Sequence, residues 1–412
     1  MHRSDMSAVS GLLEGMGLSL GAALMSPRSD KPFVFFENAV VTDFNDRLLE
    51  ELGYTWHDPR PLETDRIAAW RKVLVESETM KAVMHHAACL VALAFCLAGK
   101  CAVAADATPT ARIAKFAGDR AAAISYTFDD NLRDQYTLAV PMLNEVGFKG
   151  TFFVIPGVTV EMPEEGEKKK SAKRTWGGIS WPELKEMAAQ GHEIGSHTWS
   201  HPNLQKLPAE EVDAQLSKAY DTIKARMGKP PLTLAFPFNA RTPEVKKTAL
   251  KYHVGYRSYQ LGTAGSTTTD SLNAWADKQV KDKKWGVLMA HGITTGYAAM
   301  KDGEILRAHF KYVKGREREI WVDTFANIAR YEKERDDAKL TLTGKPGNVT
   351  CVLSSTLDPQ LYDVPLTIVI AAPSVTSARA ERASKELLVR VTDGAIQVQA
   401  PPGAQPISVT WK

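Results

Sequence analysis

Between Ala121 and Lys339 the chain alternates two hydrophobic rhythms. Short, mostly apolar runs read as strands: "AAISYTF", "GTFFVI", "HEIGSH", "LTLAF", "VGYRS" and "WGVLMAH". Longer stretches with helical spacing separate them. "DQYTLAVPMLNEVG" closes at Gly147, a residue suited to the end of a helix. "SWPELKEMAAQG" opens on Ser180 and carries Glu183 three residues later, the pattern of a capping box. "PAEEVDAQLSKAYDTIKARMG" is a longer helix, and "EIWVDTFANIARYEKERD" a last strand and helix. Strand and helix in alternation predict βα repeats around a parallel sheet.

From Leu340 the rhythm changes. "LTLTG", "NVTCVLSS", "LTIVIAA", "ELLVRVT", "AIQVQA" and "ISVTWK" are short alternating segments divided by Gly, Pro and Asp. They predict a small all-β sandwich over residues 340–412. Cys351 falls within such a strand and reads as a buried thiol.

Upstream, Met80 and Lys81 precede an apolar segment from Ala87 to Ala98 and the small triplet Ala102-Val103-Ala104. This is the layout of a secretory signal peptide over residues 80–105. Residues 1–79 then read as an upstream extension absent from the mature protein, and residues 106–120 as a polar lead-in. The expected location is periplasmic or extracellular. No apolar run reaches the length of a membrane span. The net charge of +3 over 412 residues is near balance, so no nucleic-acid partner is expected. The charge run "EMPEEGEKKKSAKR" reads as a solvated loop.

Candidate chemistry sits where the predicted strands end. "YTFDDN" closes the first strand with two adjacent carboxylates, Asp129 and Asp130. "GHEIGSHTWSHPNL" follows the third strand with His197 and His201 four residues apart, a spacing that aligns two imidazoles on one helical turn. His291 closes "WGVLMAH". In a parallel barrel these ends open on one face, where active sites form. Two histidines and one carboxylate make a three-ligand metal site with room for water, whose pKa the metal lowers to about 7. One Asp can then bind metal while the other accepts the water's proton.

"YTFDD", "HTWSH" and "VLMAHG" resemble successive motifs of the polysaccharide deacetylases, carbohydrate esterase family 4 or the NodB homology domain. The resemblance covers about Ala121 to Lys339 and implies a distorted (β/α)7 barrel, here followed by the small all-β domain. It implies Asp129 as general base, Asp130, His197 and His201 as ligands of a divalent metal, and His291 as general acid. The family's metal is usually zinc, with cobalt or manganese as alternatives. The third motif departs from the family's Arg-x-Pro-Tyr: "LAFPFNAR" has Ala235 at the Arg position and Phe238 at the Tyr position. That Arg steadies the base, and Arg257 in "VGYRS" is the candidate to replace it through space. The oxyanion donor is a backbone N–H, which Phe238 can still supply. In the fourth motif Ala274 precedes Trp275 where an Asp is usual, leaving Asp270 and Asp277 as candidates to tune His291. Trp199, between the two histidines, is the candidate for the cleft rim, with Trp176, Trp181, Trp285 and Tyr297 as further aromatic candidates. His309 lies outside every motif and reads as a surface or packing residue.

The expectation is an exported, metal-dependent hydrolase removing N-acetyl groups, or in a variant O-acetyl groups, from an acetylated polysaccharide or oligosaccharide. The rival reading is a catalytically silent metal- or glycan-binding member of the same fold. The sequence does not fix the oligomeric state.

Overall fold

A computed structural model describes residues 109–161, 178–373, 375–392 and 394–412. The segment read as a signal peptide, the stretch read as an extension before it, Trp176 and nearly all of the charge run lie outside these residues. After a short strand β1 (Ala111–Ile113), eight strands form one parallel sheet. They are β2 (Ala122–Asp129), β3 (Thr151–Val154), β4 (Glu193–Ser196), β5 (Thr233–Ala235), β6 (Gly255–Arg257), β7 (Leu261–Gly262), β8 (Trp285–Ala290) and β9 (Ile320–Val322). The order is β6-β5-β4-β3-β2-β8-β7. On β2, β8 pairs along one edge from Ala123 to Phe128, while β3 and β9 share the other.

The sheet curls into an incomplete barrel with helices packed on it, in keeping with the NodB-like architecture. Among the described residues seven α-helices accompany it: α1 (Val140–Glu145), α2 (Trp181–Ala189), α3 (Ala209–Met227), α4 (Pro243–Ala249), α5 (Thr269–Asp282), α6 (Glu304–Lys314) and α7 (Phe325–Asp337). Every residue of β2 is buried, as expected of a strand with both faces covered. Tyr126, Phe128 and Phe152 anchor the main core, the last two stacked at 4.8 Å. The Ser180 capping box forms at the start of α2, and Gly147 and Gly228 end their helices at positive φ. A π-helical turn, Gln135–Ala139, precedes α1, an irregularity that often marks a functional site.

The C-terminal segments build two antiparallel sheets. One joins β10 (Lys339–Lys345), β11 (Asn348–Ser354), β17 (Ile407–Trp411), β13 (Ala378–Arg382) and β14 (Lys385–Glu386). The other joins β1 to β12 (Leu366–Ala371), β16 (Ala395–Ala400) and β15 (Leu388–Thr392). The stretch read as a lead-in therefore contributes an edge strand, Ala111–Ile113 against Ile368–Ile370. One core runs through both parts. Phe116, Trp321 and Tyr331 pack with sandwich residues Cys351, Leu366 and Ile396. Cys351 is a buried free thiol, and burial raises its pKa to about 11, which keeps it protonated and unreactive.

Candidate active site

The C-terminal ends of β2, β4, β5, β6 and β8 carry Asp129, His197, Phe238, Arg257 and His291 on themselves or in the loops just beyond. Asp129 is the last residue of β2 and is buried. The guanidinium of Arg257 grips it through both carboxylate oxygens, at 2.8 and 2.5 Å, and donates to Thr127 Oγ1 at 2.9 Å. A bidentate arginine–carboxylate pair of this kind is both strong and directional. Burial works to raise the Asp129 pKa, but Arg257 and then His197 outweigh it and hold the carboxyl at about 2.

Asp130 has the opposite fate. Burial and then the charge of Asp129 push it up to about 7. Two neighbouring carboxyl groups are thus driven apart in proton affinity, the arrangement that assigns adjacent acids different tasks. Asp130 turns away from the strand at φ 77, and Asn131 follows at φ 55. The Asn131 amide donates to Thr159 Oγ1 at 2.8 Å and its carbonyl oxygen accepts the Ile155 N–H at 2.7 Å, which ties this turn to the end of β3.

Asp130 Oδ1 lies 3.5 Å from His197 Nε2 and 3.4 Å from His201 Nε2. The two histidines do not share a helical turn, as their spacing suggested. They sit in a loop that reverses at Thr198 (φ 66) and His201 (φ 60), and this backbone, not helical periodicity, brings the rings together. His197 Nδ1 donates to the carbonyl of Ala235 at 2.7 Å, which places its proton there and leaves Nε2 as an acceptor. A ring lone pair then faces a carboxylate oxygen that is buried and receives no hydrogen bond among the described residues. Only a cation or proton between them reconciles two acceptors. Asp130, His197 and His201 form a group with metal-ligand geometry, their atoms all within 4.8 Å of one another. Their donor set fits a divalent ion.

His291 Nε2 reaches to 3.8 Å from Asp130 Oδ2. Burial lowers its pKa, with Asp129 opposing. Neither Asp270 nor Asp277 tunes it. Asp277 accepts from Tyr312 at 2.6 Å and pairs with Arg316, and Asp270 stands exposed in the first turn of α5. His291 Nδ1 is buried without a hydrogen-bond partner among the described residues.

Phe238 adopts φ 56 just beyond β5, is 66% exposed and sets its ring 4.7 Å from that of His201. Its N–H enters no backbone hydrogen bond among the described residues. Trp199 is half-buried, stacked under Lys218 at 4.0 Å and held close to Gly157. Trp181 is core, and Trp285 packs on Phe325. A second exposed ring at the site is Tyr297, 64% exposed and 5.0 Å from His291. His309 is a packing residue, buried between Tyr126 Oη at 3.1 Å and Asn273 Oδ1 at 2.9 Å.

Two residues beside the site carried no motif. Gln135 Nε2 donates to the carbonyls of Asp129 at 2.5 Å and His291 at 2.9 Å, tying two strand ends together. Asp134 accepts from the loop after His291. Both lie in the stretch read simply as a helix start.

The polysaccharide deacetylase profile matches residues 118–257. That stretch is similar to the polysaccharide deacetylase family. The match ends at Arg257, so His291 and its loop lie beyond it. The chain is 28% identical over 159 residues to a peptidoglycan-N-acetylglucosamine deacetylase of Listeria monocytogenes, an alignment covering 37% of this chain and 30% of that protein. It is 23% identical over 304 residues to a gellan lyase of a Bacillus species, covering 63% of this chain and 11% of that protein. A solved family 4 acetyl xylan esterase from Clostridium thermocellum, in complex with a cobalt ion, is 20% identical with a TM-score of 0.37, covering 50% of this chain and 89% of that one. The chain thus spans less than a third of the length of either curated relative.

Proposed function

We propose that the protein is an exported, metal-dependent carbohydrate deacetylase that hydrolyses N-acetyl groups, with O-acetyl groups as the variant, on a polysaccharide or oligosaccharide. The observation that carries this reading is the division of the Asp129–Asp130 pair. One carboxylate is clamped by Arg257, and the other faces two histidine nitrogens. The match to deacetylases supports the reaction class, and the segment from Met80 to Ala104 supports export.

Asp130, His197 and His201 would hold the metal, zinc or else cobalt or manganese. When bound, a divalent ion supplies a charge that acidifies water and polarises a carbonyl. Asp129 accepts the water's proton. Arg257 keeps it ionised beside a second carboxylate and aims its oxygens. The Phe238 N–H donates to the oxyanion that develops from the acetyl carbonyl. His291 Nε2 gives its proton to the departing amine or alcohol, and its lowered pKa makes the imidazolium a stronger acid.

The test is acetate release from acetylated chitooligosaccharides, peptidoglycan fragments and acetylated xylan, before and after chelation and zinc add-back. Release that chelation abolishes and zinc restores is expected, and Asp129→Asn should lose it by at least about 100-fold. Release indifferent to chelation, or undiminished in Asp129→Asn, would sink the mechanism.

A further inference from the structure

The loop that follows His291 is built at unusual cost. Asp134, buried beneath it, accepts the backbone N–H groups of Ile293 at 2.8 Å, Thr294 at 2.8 Å and Thr295 at 3.0 Å. The same oxygen accepts the Thr295 hydroxyl at 3.2 Å. The loop also closes on itself, through Gly292 N–H to the Tyr297 carbonyl at 3.1 Å and Met300 N–H to the Ile293 carbonyl at 3.1 Å. Gly296 sits at φ 89 and Ala298 at φ 52, the latter a strained choice for a residue with a Cβ. A carboxylate is desolvated and the backbone strained, yet the aromatic ring this loop carries is not buried. Tyr297 stays 64% exposed, standing at 86° to the ring of His291.

A loop fixed this firmly presents its side chain for something outside the protein. Phe238 does the same beside His201, so two exposed rings stand at two histidines of one site. The chemistry that fits an exposed aromatic beside a buried charged centre is a ligand with an apolar face and a polar rim, which a pyranose ring provides through its C–H face. We infer that Tyr297 grips the sugar ring next to the scissile acetyl group as a specificity-determining residue, and that Asp134 is the positioning residue that holds it there. The inference rests on the deacetylase reading for the reaction. The grip itself rests on ring and loop alone.

The experiment compares wild type with Tyr297→Ala, Tyr297→Phe, Asp134→Ala and Asp134→Asn in acetate release from N-acetylated chitotetraose and from vinyl acetate, which carries an acetyl group and no sugar ring. Binding of the tetrasaccharide to the same proteins is measured by calorimetry. Tyr297→Ala is expected to lose about tenfold more kcat/KM on the tetrasaccharide than on vinyl acetate, mainly through KM, and to bind the sugar correspondingly more weakly. Tyr297→Phe should keep both properties, because the ring face and not the hydroxyl makes the contact. Asp134→Ala should reproduce the selective loss; Asp134→Asn, which keeps one acceptor oxygen, should fall between it and wild type. Equal losses on the two substrates with unchanged sugar affinity would overturn the assignment of Tyr297. So would a Phe variant as poor as Ala. An Asp134→Ala protein with wild-type sugar affinity would remove Asp134 from the proposal. A wild type that binds the sugar through Tyr297 but releases no acetate would sink the deacetylase reading and leave the grip standing.

Discussion

At the scale of single residues, the decisive contact is one that crosses between strands. Ala235 occupies the position where the resemblance led one to expect an arginine, and the charge arrives instead from Arg257 on the next strand, β6. The two positions are paired neighbours, Ala235 against Arg257, so a guanidinium from either can reach the end of β2. Replacing Arg257 by Met keeps the length of the side chain and removes the charge. The buried Asp129 would then be left uncompensated beside Asp130, a loss of about 3–5 kcal/mol in stability and of about 10–100-fold in turnover. The pH dependence has a definite sign. Asp129 is depressed to about 2 in the folded protein, so its stabilising contribution is present above the unfolded value of about 3.9 and is lost as pH falls towards 2. Urea unfolding of wild type and Arg257→Met should therefore diverge above about pH 4 and converge towards pH 2. A gap that did not narrow in acid would mean that the ion pair is not what the substitution removes.

At the scale of elements, the site is a set of loops in left-handed conformations mounted on regular strands. Asp130, Asn131, Thr198, His201, Phe238, Asn239 and Ala298 all have φ between 52 and 77. None of these is glycine, so the strain is concentrated where the rings and carboxylates converge. The Asp134 loop is the tightest example. A Cβ on Gly292 would lie 1.9 Å from the Thr295 carbonyl oxygen, whereas one on Gly265 would find its nearest atom at 3.7 Å. Gly292→Ala should thus cost about 1–3 kcal/mol and depress oligosaccharide turnover, while Gly265→Ala serves as the control. Thermal unfolding and acetate release on the pair check this, and equal stability in the two variants would contradict the packing argument. The same contrast explains what the sequence made legible. Strands such as "AAISYTF" and helices with a capping box declare themselves by local rhythm. The residues Asp129, Asp130, His197, His201 and His291 stood out because charge ended an apolar run. Asp134 and Gln135 did not, because what places them at the site is hydrogen bonding to backbone groups at and beyond His291, about 160 residues away. The histidine pair was found for a helical reason that does not apply, since the loop's reversed backbone does the aligning.

At the scale of the molecule, barrel and sandwich are continuous. Tyr331 on α7 donates to the Ala114 carbonyl at 2.9 Å and accepts from the Thr367 N–H, and the core beneath it runs from Trp321 to Ile396. Glu334, also on α7, lies fully buried in this seam. One of its oxygens accepts the Val364 N–H at 3.0 Å, and the other has no partner among the described residues. Burial raises its pKa to about 7, with Arg330 pulling it down and Asp363 pushing it up. A group whose folded pKa exceeds its unfolded value contributes stability that is complete below about pH 4.3 and is lost as pH climbs through 7. The seam is therefore expected to loosen as pH rises from about 4.3 to about 7, with little further loss above that. Glu334→Gln removes the titration while keeping an acceptor for Val364, so its melting temperature should gain on wild type between pH 5 and about pH 7 and level off above that. Parallel curves over that range would show that the carboxyl at the seam stays ionised, and that Arg330 neutralises it more fully than its burial suggests.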